Sequence, residues 1–426
     1  MRFVKVGAVS ASLALAVTAC SGDSGQGSGT ADPEAISGEI TFWDTSDATN
    51  EAPIFQELIE DFEEEYPEVT VNYENVPFSD AQNNFKTAAQ SGAGAPDVMR
   101  TEVAWVPEFA SLGYLAPLDD TIALEDSQDF LATPFSSAEF EGKTYAVPQV
   151  TDSLALLYNK ELLAEAGFEE PPATMAEFKE AALAVSEETD ADGFYLNAGD
   201  SYFLLPHFYS QGGDLLDAEA QAITVNNDAG VAALEQALDL VDTGAASEPA
   251  LTDTYNNMQT AFKEGEVAMI FNGPWSMTDN LSGSAFADNP DNLGVAAVPS
   301  GPEGGGGPIG GHDYTVYAGS GNLDASYLFI QFMASTDSQA KVAAELGLLP
   351  TRSSAYERDE VANNDIVTAF QPVIESAHPR PWIPQGGLLF EPLNTQYSAA
   401  IAGEATPQEA LDAVAEEYRT FLSDWD

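Results

Sequence analysis

The stretch GEITFWDTSDATNEAPIFQELIEDFEEEYPEVTVNY, residues 38–73, holds one complete strand–helix–strand unit. Residues 39–43 read as a strand that ends in the polar loop 44–50. Ile54, Leu58, Ile59 and Phe62 then recur on one face of a helix, and Tyr66-Pro67 stops it. Residues 69–73 alternate as a second strand. The pattern continues with a helix around 80–90, a small-residue turn at 92–96 and a short strand at 97–100. Strands alternating with helices predict a largely parallel sheet covered on both faces. Ligands of such sheets bind beyond the C-terminal strand ends, which here means residues 44–47 and 101–105.

Farther along, the periodicity predicts helices at about 158–166, 174–189, 228–242 and 254–264, then a strand at 267–271. A glycine-rich loop at 299–311 precedes a strand at 314–317, and further helices are expected at 324–345 and 406–423. The chain shows neither an internal repeat nor a second long apolar segment.

A length of 426 residues with 44% hydrophobic side chains provides material for two or three packed units. Against 13 basic residues stand 70 acidic ones, a formal charge of −57. That balance argues against nucleic acid, whose phosphates it repels, and against anionic lipid held through the protein surface. It is read as a solubility device: the acids at 57, 60, 61 and 63–65 fall on one solvated helix face and its end.

Toward the N-terminus, Arg2 and Lys5 precede an apolar run at 6–17, then Val17-Thr18-Ala19-Cys20 and a Ser/Gly-rich stretch. The run is shorter than the ~20 residues of a membrane span and reads as a secretory signal peptide. Residues 1–19 are expected to be cleaved, with 20–37 as a flexible tether. The small residues before Cys20, the sole cysteine, resemble a bacterial lipobox, which makes that thiol the lipid anchor. An ordinary signal peptide with an incidental cysteine is the alternative.

Several segments carry a wider resemblance. They are Gly-Lys-Thr-Tyr-Ala-Val-Pro at 142–148 before Leu157-Tyr158-Asn159-Lys160, and Gly265-Glu266-Val267-Ala268 before Asn272-Gly273-Pro274-Trp275. Leu348-Leu349-Pro350, Ile383-Pro384-Gln385 and Pro407-Gln408-Glu409-Ala410-Leu411 follow. In order and spacing the chain resembles the solute-binding proteins of ATP-binding-cassette (ABC) importers, specifically the maltose/maltooligosaccharide group. The resemblance implies an α/β, type II periplasmic binding protein fold of two discontinuous lobes with hinge strands and a ligand cleft. Lobe one would be 38–148 and 299–347, and lobe two 149–298 and 348–426. Crossovers would fall near 148–151, 297–299 and 346–350.

A pyranose presents an apolar C–H face to aromatic rings and a rim of hydroxyls to carboxylates. By resemblance, Trp275 is the stacking tryptophan, Asp47 and Asp152 are cleft carboxylates, Asp200 and Tyr202 belong to a sugar-contacting segment, and Phe390 is a further stacking ring. A core tryptophan after a turn, or loop caps for the acids, are the structural alternatives. The maltose group's cation after the first loop acid is Ala48 here, its loop tryptophan is Thr101, and its C-terminal Tyr and Arg are Glu391 and Asn394. Glu102 and Trp105 stand near enough to rebuild that wall. Gly311 and His312 offer backbone and imidazole, and Arg380 and Trp382 are further candidates.

Rival chemistry has weak support. Paired carboxylates suited to glycoside hydrolysis arise by chance among 70 acids. There is no Gly-x-Ser-x-Gly elbow, and His207, His312 and His378 lack metal-ligand spacing. The dinucleotide-like run at 305–310 lies in a Pro/Gly loop, and 190–193 matches only the start of a calcium loop. The resemblance thus implies a non-catalytic, monomeric receptor without cofactor or metal, which the lipobox-like segment would anchor on the outer face of the cytoplasmic membrane. It would capture maltose or maltooligosaccharides and deliver them to ABC permease subunits. Another oligosaccharide, such as arabinogalactan oligomers, is the alternative ligand, and a secreted glycoside hydrolase the more distant one.

Overall fold

The computed structural model describes residues 33–247 and 249–426. The lipobox, Cys20 and most of the tether lie outside the described residues. In chain order the strands are β1 (Gly38–Asp44), β2 (Val69–Asn75), β3 (Val98–Glu102), β4 (Glu139–Phe140), β5 (Lys143–Thr144), β6 (Ala146–Ser153), β7 (Ala155–Asn159), β8 (Asp192–Phe194), β9 (Leu216–Asp217), β10 (Ala222–Ile223), β11 (Val267–Asn272), β12 (Leu293–Ala296), β13 (Ile309–Val316) and β14 (Leu349–Pro350). Six of them form one sheet in the order β14-β6-β13-β3-β1-β2, and four form a second in the order β12-β7-β11-β8.

The opening unit folds as its pattern predicts. Helix α1 (Ala52–Glu65) links β1 to β2, which pair in parallel from Gly38 opposite Val69 to Asp44 opposite Asn75. Ile40 and Phe42 of β1 face Phe55, Leu58, Ile59 and Phe62 of α1 in one buried cluster. Phe42 meets Tyr73, Tyr314 and Phe329 edge to face, the arrangement that ring quadrupoles favour. Helix α2 (Phe78–Ser91) leads to β3, which is parallel to β1 and is followed by α3 (Trp105–Ser111).

The rest of this sheet arrives from far along the chain. Strand β13 inserts antiparallel between β3 and β6, and β14 adds to the other side of β6. Leu349 therefore lies opposite Thr151, which also faces Gly311. A buried polar knot ties these segments. Gln339 Nε2 and Thr351 Oγ1 both donate to the Pro148 carbonyl, and Gln339 Oε1 accepts from the Thr351 and Arg352 amides. The second sheet packs its own core around β11, whose six residues are all buried, with Phe178, Phe194 and Phe271 in mutual ring contact.

Three expectations are corrected. Strand β7 runs through Tyr158 and Asn159, so the helix expected from 158 starts at Lys160, with Asn159 Oδ1 capping the Leu162 amide at 3.1 Å. The helix expected over 324–345 is two helices, Leu323–Met333 and Thr336–Leu346, because Ser335 caps a new start. The glycine-rich loop ends earlier than expected: β13 begins at Ile309 and takes Gly310 and Gly311 into the sheet.

Candidate ligand-binding site

At one end of the first sheet's inner strands the C-terminal ends of β3 and β6 flank the start of β13. Register sets Glu102 of β3 opposite His312, and Asp152 of β6 opposite Gly310. A glycine is required at 310: a Cβ there would lie 2.2 Å from Asp152 Oδ1 and 2.8 Å from the Tyr202 hydroxyl. That close approach lets the carboxylate, the phenol and the strand backbone share one corner.

Arg380 closes this corner from a distant segment. Its guanidinium pairs with Glu102, donates Nε to the Ile309 carbonyl at 2.8 Å, and lies 5.7 Å from both the Tyr202 and Trp382 ring centres. Glu102 is held on its other oxygen by the Ala104 amide at 3.0 Å. Tyr202 donates to the Pro308 carbonyl at 3.2 Å, and Trp382 Nε1 donates to Ser136. Removing one member of a buried ion pair typically costs 3–5 kcal/mol, so such a pair persists only where its geometry is held on several sides.

Burial pushes the Asp152 carboxyl up to about 7. Arg380 and Arg100 pull it down, and Glu102 and Glu51 push it up. Burial opposes the Arg380 charge, but Glu102 and then Tyr202 more than compensate, so the guanidinium stays charged. Burial, with Arg100 and Arg380 nearby, drives His312 well below its ordinary value, leaving a neutral imidazole whose two nitrogens have no hydrogen-bond partner in the protein.

The structure brings Glu102, Asp152, Tyr202, Gly311 and His312 together. Trp105 joins through Phe78, which stacks on it at 5.0 Å and meets His312 edge-on at 5.9 Å. Phe390 joins through Tyr202, at 6.3 Å between ring centres. The others stand one step back. Asp47 is exposed, and its carboxylate caps the Thr49 and Asn50 amides. Asp200 accepts from the Tyr202 amide at the start of a short 3-10 helix, Ser201–Leu204, and burial raises its carboxyl. Trp275 Nε1 donates to the Tyr255 hydroxyl at 3.0 Å, and its indole packs against the cores of both sheets. Its ring lies over Gly273, where a Cβ would approach within 1.9 Å, which explains the glycine in Asn-Gly-Pro-Trp. Rings connect it back to the corner: Tyr255 to Phe203 at 6.1 Å, and Phe203 to Tyr202 at 6.0 Å.

Sequence reasoning missed Phe78, Tyr255 and Glu51. Only Phe78 carried a visible signal, as a large apolar residue directly after Pro77 at a helix start. Asn394, one of the departures from the maltose group, accepts from the Ser201 amide at 2.7 Å and so braces the Tyr202 turn.

The fold belongs to a known class. Residues 47–340 match the bacterial extracellular solute-binding protein family, and the chain is a member of it. The crystal structures of the GacH receptor of Streptomyces glaucescens GLA.O, solved unliganded and with acarbose, share 51% identity, with a TM-score of 0.88 over 92% of this chain and all of that one. Maltose-bound MalE3 of T. maritima shares 26% at a TM-score of 0.81, over 90% of this chain and 99% of that chain. A maltooligosaccharide ABC transporter solute-binding lipoprotein of Streptococcus pneumoniae (strain ATCC BAA-255 / R6) is 27% identical over 349 residues, 76% of each chain. Among the described residues, no helix is long and apolar enough to cross a membrane.

Proposed function

We propose that this protein is the receptor of an ABC sugar importer, which captures maltooligosaccharides or a close analogue outside the membrane and passes them intact to the permease. The observation that carries this reading is the corner where Asp152, Glu102, Arg380 and Tyr202 converge at the strand ends. It couples fixed acceptors and donors to aromatic rings, the two features a pyranose needs. The 51% identity to a receptor crystallised with acarbose supports an α-glucoside-like ligand.

In this reading Asp152 and Glu102 accept sugar hydroxyls, and each charge-assisted bond contributes roughly 1.5–3 kcal/mol once water is excluded. Trp275, Tyr202 and Phe390 supply ring faces, His312 and Gly311 line the floor, and Asp47 and Asp200 hold the loops that carry them. The lobes are 38–148 with 299–347 and 149–298 with 348–426, and they close on the sugar about adjacent crossing segments. Closure is driven only by the ligand's preference for the closed form. Cys20 tethers the receptor by lipid to the outer face of the membrane, with residues 1–19 removed. The acids hold hydroxyls and do no hydrolysis.

Thermal unfolding tests the reading. A ligand that binds only the folded form stabilises it by about 2.7 kcal/mol at a hundredfold excess over Kd. Maltotriose or acarbose should therefore raise Tm, and Trp275→Ala should weaken binding by more than about tenfold, a loss of 1.4 kcal/mol or more. A shift with another oligosaccharide series but none with α-glucans would replace the ligand. Shortened products after prolonged incubation would replace the receptor by a hydrolase.

A further inference from the structure

We propose that His378-Pro379-Arg380-Pro381-Trp382 is a rigid strap whose two ends, His378 and Trp382, are positioning residues that hold the Arg380 guanidinium between Glu102 and Asp152. They act on the ligand through Arg380. This rests on the sugar-binding reading above and deepens it, by naming what fixes the charge of that site.

The strap connects the helices Asp365–Glu375 and Phe390–Ile401. Each proline fixes its own φ and keeps the residue before it out of the helical region, so His378 and Arg380 are both confined to extended backbone. One end is bound to the glycine-rich loop. The His378 amide donates to the Gly307 carbonyl and the His378 carbonyl accepts from the Ile309 amide, both at 2.8 Å. The imidazole donates Nε2 to the Gly305 carbonyl at 2.9 Å and stacks on Tyr209, with ring centres 4.3 Å apart and planes 15° apart. Gly306 permits this approach, since a Cβ there would lie 2.1 Å from the Ser376 carbonyl oxygen. The other end is bound far away in sequence. Trp382 Nε1 donates at 3.0 Å to Ser136, which opens the 3-10 turn Ser136–Ala138. The Ser136 hydroxyl donates in turn to the Thr133 carbonyl at 2.7 Å, which leaves its lone pairs for the indole.

Between these two attachments Arg380 has little freedom. Its guanidinium lies within cation–π range of both Trp382 and Tyr202, and its Nε is held by the Ile309 carbonyl. Ile309 precedes Gly310, the residue paired with Asp152. Around Asp152 stand Arg380 from the strap, Glu102 and Arg100 from β3, Glu51 ahead of α1, and Tyr202, with His312 two residues along β13. Among these charges Arg380 exerts the largest pull on the Asp152 carboxyl. A long side chain fixed before the ligand arrives has no rotamer freedom left to lose on binding, which is how preorganisation raises affinity.

The test turns on Ser136, to which the sugar-binding reading gives no ligand contact. Ser136→Ala removes the acceptor, Ser136→Thr keeps it, and Trp382→Phe removes the donor while keeping a ring. Asp152 is titrated in the full chain without ligand by carboxyl-carbon NMR of aspartate-labelled protein, with Asp152→Asn identifying its signal. Calorimetry with maltotriose is run on the same samples. Ser136→Ala and Trp382→Phe should each move the Asp152 midpoint upward from about 7 by roughly half a pH unit or more as Arg380 loosens. Both should weaken maltotriose binding roughly three- to tenfold, the worth of one hydrogen bond. Ser136→Thr should match the wild type in both measurements. Weaker binding with an unmoved Asp152 midpoint would make the strap a plain structural connection and overturn the proposal. Wild-type affinity in both variants would overturn it equally. A midpoint that moves in a protein that binds no oligosaccharide at all would support the strap and remove the sugar-binding reading instead.

Discussion

Asp152 changes charge within the physiological range because burial outweighs the attraction of Arg380 and Arg100. Below about pH 7 its carboxyl is mostly protonated, and above that it is an anion able to accept charge-assisted bonds. A sugar hydroxyl that donates to the anion favours ionisation, so binding should release protons and tighten as pH rises from about 5.5 to 8. Titrations in buffers of different ionisation enthalpy would show the released proton, and Asp152→Asn should flatten the profile. Equal affinity across that range would remove Asp152 from the ligand's hydrogen bonds. Tyr202 and Trp275 are legible as candidates because each sits in a short motif, and Asp152 through its place in the family resemblance. The role of Arg380 is not, because Glu102 lies 278 residues away and no local pattern encodes that pairing.

Strand β13 shows what pattern reading can and cannot reach at the level of elements. Repeated glycines and a proline argued for a loop to residue 311, whereas tertiary pairing on both sides takes Gly310 and Gly311 into the sheet. Helices α1 and α2 were visible because each buries one periodic face. The helices Asp365–Glu375 and Phe390–Ile401 were not identified, and the first of them carries Pro372 in its interior. Within β13 the register shifts between His312 and Asp313, and Asp313 is buried with Oδ2 accepting from Ser137 and Oδ1 unpartnered. Burial raises its carboxyl from 3.8 to about 8. Below about pH 4 both folded and unfolded chains carry the neutral acid and the residue costs nothing. As pH rises toward 8 the unfolded chain ionises freely while the folded one resists, so stability falls. Asp313→Asn should remove this slope. Melts at acid and alkaline pH would show the variant gaining on the wild type as pH rises, and a constant difference would refute the assignment.

Across the whole molecule, −57 charges must be confined in one folded chain. Such self-repulsion opposes compaction, and added salt screens it, with a Debye length falling from about 10 Å at 0.1 M to about 3 Å at 1 M. The exposed ion pairs do little to offset it, since those of Lys179, Lys341 and Arg358 have half or more of the acid side chain exposed. Sodium chloride should therefore raise Tm steadily up to about 1 M. A flat or falling Tm would mean that the acids are already neutralised within the fold.

The place of β13 between β3 and β6 governs how the polypeptide can be made. Everything up to β6 can leave the ribosome while the strand that must separate β3 from β6 is still untranslated. The first sheet cannot close until residue 316 has emerged, so the nascent chain stays incomplete for most of its synthesis. A polypeptide in that state remains threadable, and it reaches its final shape only once β13 and then β14 have joined β6.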